Sequence, residues 1–159
     1  MSDLVKIAKT EISNSNKLCV IAGLNVLEDD QLTFEVAERL KKITEAQGNS
    51  FIFKASFDKA NRSSVDSYRG PGLEKGLEIF RELKKSDYQL ITDIHEISQV
   101  EQISEVVDII QIPAFLCRQT DLIKEACQSG KPLNIKKGQF LSPDQMKNII
   151  EKCSNFGND

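Results

Sequence analysis

A polar run with neither helical nor strand period, containing Ser56, Asp58, Lys59, Asn61, Arg62, Ser63 and Ser64, follows directly on Lys54. Together these residues supply what an anion needs: a planar guanidinium fork, point-charge ammonium groups, an amide, hydroxyls and loop N–H donors. The same composition also suits a solvated basic loop. A second candidate group is Asp93-Ile94-His95-Glu96, which gathers three ionisable side chains, among them the only histidine of the chain. A lone histidine is often structural, but beside two carboxylates it can also move or orient a proton. A third is Lys136. Lys54 and Lys136 can be read as rim lysines that keep their heads in water, as cations for an anionic ligand, or as Schiff-base nucleophiles.

These groups are tied together by the elements that must position them. Phe51 to Ala55 is a buried strand by its apolar, β-favouring residues, and Lys54 stands at its carboxyl end. Leu18 to Ala22, Gln89 to Ile94, Val107 to Ile112 and Leu133 to Lys136 read the same way. Helical patterns alternate with these strands: Leu32, Val36, Leu40 and Ile43 after an Asp29/Asp30 cap; Leu73, Leu77, Phe80 and Leu83; a short helix near Gln99 to Glu105; Asp121 to Ser129; and a last helix opened by Ser142-Pro143 and running through Cys153. Strand and helix thus alternate five times. Strands that are continuously apolar predict a parallel sheet covered by helices, an α/β fold. Asn25, Lys54, Asp93, His95, Gln111, Lys136 and Gln139 all fall at or just beyond the carboxyl end of a strand. That is the active face of a (β/α)₈ barrel and equally the ligand crevice of an open doubly wound sheet. Residues 1–17 form an amino-terminal extension in which a weak alternation suggests a short hairpin, and 18–159 form the α/β domain.

Composition narrows the function classes. The chain has 159 residues, 40% hydrophobic and 28% charged, with a net charge of −3. This gives no reason to expect nucleic acid or an anionic membrane as partner. No apolar run approaches the roughly 20 residues of a bilayer span, and the start lacks a secretory apolar core, so a cytoplasmic protein is expected. The four cysteines, Cys19, Cys117, Cys127 and Cys153, are scattered without a CxxC pair, which points to reduced thiols.

The segment Phe51 to Gly72, FIFKASFDKANRSSVDSYRGPG, continued by LEKG, closely resembles the 3-deoxy-D-manno-octulosonate 8-phosphate synthase family (2-dehydro-3-deoxyphosphooctonate aldolases). TDIHE around Asp93, QIPAF from Gln111, CRQTD from Cys117 and KKGQF from Lys136 match further family motifs in the same order. The resemblance implies a TIM barrel and an aldol-type condensation of phosphoenolpyruvate with D-arabinose 5-phosphate, a step of lipopolysaccharide biosynthesis. It implies that Asn25, Lys54, Asp93 and His95 are catalytic, that Gln111, Pro113, Ala114 and Lys136 serve the phosphoenolpyruvate side, that Gln139 binds substrate, and that Lys59, Asn61, Arg62 and Ser63 hold the pentose phosphate. Lysine acts there as a cation and not through an imine. Family members with Cys at the place of Asn25 use a metal; Asn marks the metal-independent type, so no metal and no cofactor is expected.

The resemblance covers about residues 18 to 153, but five βα units are fewer than the barrel's eight, and the family's later strands have no counterpart. The chain is therefore expected to be the amino-terminal part of a synthase: an incomplete barrel, inactive alone, and a homo-oligomer when completed. Two further expectations stand beside this one. One is the related seven-carbon synthase of the aromatic pathway, against which the KANRSS residues speak; the other is a non-catalytic remnant that binds phosphorylated ligands.

Overall fold

The computed structural model describes residues 4–159. A hairpin comes first, β1 (Val5–Ile7) antiparallel to β2 (Thr10–Ile12). Then follow β3 (Cys19–Gly23), α1 (Asp30–Ala46), β4 (Ser50–Lys54), α2 (Leu73–Lys85), β5 (Leu90–Asp93), α3 (Val100–Ser104), β6 (Ile109–Ile112), α4 (Thr120–Gln128), β7 (Leu133–Ile135) and α5 (Met146–Asn155). Strands β3 to β7 form one five-stranded sheet in sequential order, and every pairing is parallel. A doubly wound sheet reverses its strand order at a switch point. This one has no reversal, and its helices lie on a single side.

The core shows that one-sidedness. Phe51, Phe53, Leu90, Ile110 and Ile112 point outward into one apolar cluster with Ala37, Leu77, Phe80, Leu83, Ile103, Ile123, Ala126 and Ile149 of the helices. The alternate residues Ile52, Ile91 and Ile109 point inward and form a second cluster with Ile7 of the hairpin, flanked by Ile12 and Cys19. The architecture is an incomplete α/β barrel, with helices outside and a concave inner wall whose floor is plugged by the hairpin. Gln89 pins that plug: its Nε2 donates to the Ile7 carbonyl at 2.6 Å, and its Oε1 accepts from Thr10 Oγ1 at 2.6 Å.

Local signals explain most boundaries. Asp29 caps α1 by accepting the Leu32 N–H at 2.8 Å. Ser142 and Gln145 form a reciprocal capping box ahead of α5. Pro113 ends β6, and a short 3₁₀ turn follows at Ala114–Leu116. Gly23 pairs with Lys54, and a Cβ there would lie 2.1 Å from the Lys54 carbonyl oxygen, so the close approach of β3 to β4 requires glycine.

The expected apolar stripe of α1 is met at its middle and not at its ends. Val36 and Leu40 pack against the core beside the buried Thr33, Ala37 and Thr44, whereas Leu32 and Ile43 are exposed. Thr33 satisfies its hydroxyl on the Asp29 carbonyl at 2.7 Å, so a small polar residue packs against the sheet where the larger Leu32 does not. Leu18 likewise lies outside the first parallel strand and is exposed.

Candidate active site

The inner wall changes character along each strand. In β4 the inward residues are Ile52 and then Lys54; in β5, Ile91 and then Asp93; in β6, Ile109 and then Gln111. β7 contributes Asn134 on that side, and Lys136 follows it, with its own N–H donating to the Ile112 carbonyl at 3.0 Å. The floor is apolar and the carboxyl-end mouth is polar, because on β4, β5 and β6 two residues of rise replace isoleucine by a group that can do chemistry.

At the mouth the polar groups touch. Lys54 Nζ donates to Ser56 Oγ at 2.8 Å, and Lys59 Nζ donates to the same oxygen at 2.9 Å. Lys54 Nζ is 3.9 Å from Asp93 Oδ1, and His95 Nε2 is 3.3 Å from Asp93 Oδ2. The His95 ring meets Phe57 edge-on with centroids 5.8 Å apart, and its N–H backbone donates to Gln99 Oε1 at 2.8 Å. Asn134 Nδ2 donates to Gln111 Oε1 at 3.1 Å. Asp93 Oδ1 and His95 Nδ1 are buried without a hydrogen-bond partner of their own.

These surroundings shift two titrations. Burial pushes the Lys54 ammonium down from 10.5 to about 8; Lys59 and Lys136 push in the same direction, and Asp93 only partly opposes them. Burial alone would raise the Asp93 carboxyl. The His95 bond, the Lys54 charge and further cationic neighbours outweigh it and hold the carboxyl at about 2. At the mouth three lysines, Lys54, Lys59 and Lys136, stand with two carboxylates, Asp93 and Glu96, a surplus of positive charge.

Two adjoining clefts open there. One, of about 370 Å³, is lined by Lys59, Asn61, Asp93, His95, Gln111, Pro113, Ala114, Lys136 and Gln139, with Glu96 and Phe115 at its edge. The other, of about 500 Å³, is lined by Asn25, Lys54, Gln111, Asn134 and Lys136 beside Ile21 and Gly23. Gln111 and Lys136 border both. The residues expected on the phosphoenolpyruvate side thus come together with Asp93, His95, Lys59 and Asn61. Arg62 and Ser63 do not join them: both are exposed, neither lines a cleft, and Arg62 Nε is turned onto the Tyr68 carbonyl at 3.0 Å. The loop that carries them is tied back by the Arg69–Asp58 ion pair and by Tyr68 Oη donating to the Leu27 carbonyl at 3.0 Å.

Two members of the site stand outside the expected site residues. Ser56 belongs by sequence to the polar loop, yet it is fully buried and accepts from two lysines. Asn134 lies within a strand; the alternation in Leu133-Asn134-Ile135-Lys136 is the signal that puts Asn134 and Lys136 on one face. Among the described residues no three His, Cys, Asp or Glu side chains cluster as a metal-ligand set. Cys19 is half-buried against the apolar floor, below the mouth. Among the described residues no helix is long and apolar enough to cross a membrane.

Residues 4–159 match the DAHP synthetase I family. Among curated proteins, the chain is 53% identical over 157 residues to a 2-dehydro-3-deoxyphosphooctonate aldolase of Pasteurella multocida, covering 98% of this chain and 55% of the relative. The proteins of the same name from Haemophilus influenzae and Bdellovibrio bacteriovorus are each 52% identical over 157 residues, with 55% and 54% of their lengths covered. The chain therefore spans about 55% of the length of the curated relatives it matches.

Proposed function

The chain belongs to the DAHP synthetase I family, and on that premise we propose that it carries part of the active site of a 3-deoxy-D-manno-octulosonate 8-phosphate synthase. The reaction joins phosphoenolpyruvate to D-arabinose 5-phosphate and releases inorganic phosphate. The observation that carries this reading is the convergence of Lys54 and Lys136, with Lys59 beside them, on the polar mouth of the inner wall, where burial lowers the Lys54 ammonium and the neighbouring lysines add to it. Phosphoenolpyruvate, with one phosphate and one carboxylate, matches Lys54 and Lys136, and the pentose phosphate matches Lys59. Carbon 3 of the enol ester attacks the sugar aldehyde, positive charge grows at carbon 2, water adds there, and the carbon–oxygen bond to phosphate then breaks. Lysines on both sides of the ligand hold it by proximity and charge. With its Nε2–H directed to Asp93, His95 keeps a lone pair on Nδ1 with which to orient the water.

Gln111, Pro113, Ala114 and Gln139 would frame the same ligand from the neighbouring strand ends, with Asn25 across the second cleft. Lys59, Asn61, Arg62 and Ser63 would hold the pentose phosphate, which asks the loop to turn Arg62 away from Tyr68. Asn25, a weak ligand for soft divalent ions, suits the metal-independent type, so activity is expected to survive excess chelator. The setting is cytoplasmic lipopolysaccharide sugar synthesis by a homo-oligomer.

The test is phosphate release from phosphoenolpyruvate by a chain extended to the relatives' full length. Turnover with arabinose 5-phosphate supports the reading. Turnover with erythrose 4-phosphate instead would assign the seven-carbon reaction, and binding without turnover would leave a ligand-binding remnant. The lowered ammonium of Lys54 also favours a second reading, an imine as in lysine aldolases. A borohydride-trapped adduct at Lys54 would establish it; the electrostatic reading expects none.

A further inference from the structure

The four cysteines are scattered along the chain, yet the fold brings two of them together. Cys127 lies in the last turn of α4 and Cys153 in the last turn of α5. The two helices are in contact, and Lys152 fixes their register: its Nζ donates to the Arg118 carbonyl at 3.3 Å and to Thr120 Oγ1 at 2.8 Å, where α4 begins. Both thiols are buried in the outer apolar cluster and hydrogen-bond each other. That bond has a direction. Burial, then the charge and the bond of Cys153, push the Cys127 thiol up to about 12. Burial raises the Cys153 thiol as well, but the bond from Cys127 and the Lys152 charge pull it back. Cys127 is therefore the donor and Cys153 the acceptor, the sulfur that gives up its own proton more readily. Access selects the same atom: Cys153 lines the groove of about 560 Å³ along β7 and α5, and Cys127 does not.

We propose that Cys153 and Cys127 form an oxidation site with fixed roles, in which Cys153 meets a hydroperoxide that enters by the groove and Cys127 resolves the product into a disulfide joining α4 to α5. The site is separate from the cleft mouth, because both thiols belong to the outer helical layer. In the first step the Cys153 thiolate attacks one peroxide oxygen. A sulfur–oxygen bond forms, the oxygen–oxygen bond breaks, and the other oxygen leaves with the electron pair and takes a proton from solvent. Cys153 is then a sulfenic acid. In the second step the Cys127 sulfur loses its proton and attacks the Cys153 sulfur. The sulfur–sulfur bond forms as the sulfur–oxygen bond breaks, and water leaves. Two thiols and one hydroperoxide thus give a disulfide, an alcohol (water, for hydrogen peroxide) and a water, and the peroxide takes up the two electrons.

The test uses the 159-residue chain with hydrogen peroxide as probe. After oxidation, the remaining thiols are blocked in denaturant and the peptides are weighed without reduction. Cys127 should be found linked to Cys153 within one chain, at a yield independent of protein concentration, with Cys19 and Cys117 blocked as free thiols. From pH 7 to pH 8 the rate of linkage should rise about tenfold, because the attacking species is the thiolate of a thiol that titrates above that range. Two variants read the roles. In Cys127→Ser, dimedone should trap a sulfenic acid on Cys153; in Cys153→Ser, Cys127 should stay a free thiol. If either variant fails to fold, dimedone present during oxidation of the wild type decides, by labelling Cys153 and not Cys127. A disulfide with any other partner, links between chains, or a Cys153 that stays reduced while Cys19 is oxidised would overturn the site. A rate that does not change with pH would overturn the thiolate step, and dimedone on Cys127 in place of Cys153 would overturn the roles.

Discussion

Lys54 offers the sharpest link between the structure and a measurement. Its side chain is 19% exposed, and burial, Lys59 and Lys136 bring its ammonium from 10.5 to about 8 in the unliganded fold. A shift of about 2.5 units is a penalty of about 3 kcal/mol on the charged form. The sign for folding follows. The unfolded chain binds the proton more tightly, so this group makes the fold more stable as pH rises from 8 towards 10.5, and the cost is fully present below 8. A bound anion reverses the imbalance. Phosphate and carboxylate oxygens beside Lys54 favour the charged form and return its titration towards 10.5, so ligand binding takes up a proton wherever Lys54 was neutral.

With a free value of about 8, the charged fraction is about nine-tenths at pH 7 and about one-tenth at pH 9. Phosphoenolpyruvate affinity should therefore fall about tenfold across that interval, about 1.4 kcal/mol. Calorimetry in two buffers of different ionisation enthalpy should show uptake of about half a proton at pH 8. Lys59, Lys136, Asp93, His95 and Glu96 share the cleft mouth, so Lys54→Met is the control that isolates the group. It should bind about 10- to 150-fold more weakly at pH 7, the loss of one charged bond, and lose the pH 7–9 slope. A wild-type profile that is flat from pH 7 to 9, or a slope that survives Lys54→Met, would refute the assignment of Lys54 as a desolvated cation awaiting an anion.

Asp93 should act in the opposite direction. Its carboxyl is held at about 2 against an ordinary 3.8, so its contribution is present above 3.8 and lost as pH falls towards 2; acid unfolding followed by circular dichroism should show Asp93→Asn losing less stability than wild type in that window, by about 2 kcal/mol. Arg62→Ala in the extended enzyme should raise the arabinose 5-phosphate requirement about 10- to 150-fold and leave phosphoenolpyruvate binding nearly unchanged; equal losses for both substrates would make the loop structural. The 159-residue chain itself should self-associate and show no turnover, because β3 and β7 leave open edges, Ile21 is exposed on the inner wall, and an apolar groove of about 560 Å³ runs along β7 and α5. Sedimentation combined with a phosphate-release assay would reveal a monodisperse active monomer if that expectation fails.

The parts of this fold that the sequence disclosed are those where one physical demand acts alone. A parallel strand covered on both faces must be apolar nearly throughout, so LITD and IIQI stood out, and their polar endings marked the mouth of the inner wall. The helix α1 was legible only at its middle: Val36 and Leu40 pack against the core as their spacing indicates, but the fully buried positions are Thr33 and Ala37, small residues that carry little hydrophobic signal, while Leu32 and Ile43 stay exposed. Ser56 was hidden for a related reason. A serine among Lys54, Asp58, Lys59 and Asn61 reads as one more polar loop residue, and nothing in its neighbours says that it is buried. Burial there comes from non-local partners: Leu27, which bonds its carbonyl, and Phe57 beside it, against whose Cβ Gly76 of α2 leaves room for a close approach. Arg62 shows the converse. Its residue type announced anion binding, but where its guanidinium rests depends on a carbonyl six residues on, Tyr68, and on the Asp58–Arg69 pair that folds the loop back. Residue type thus states which charge is offered, and the non-local contacts decide where it is delivered.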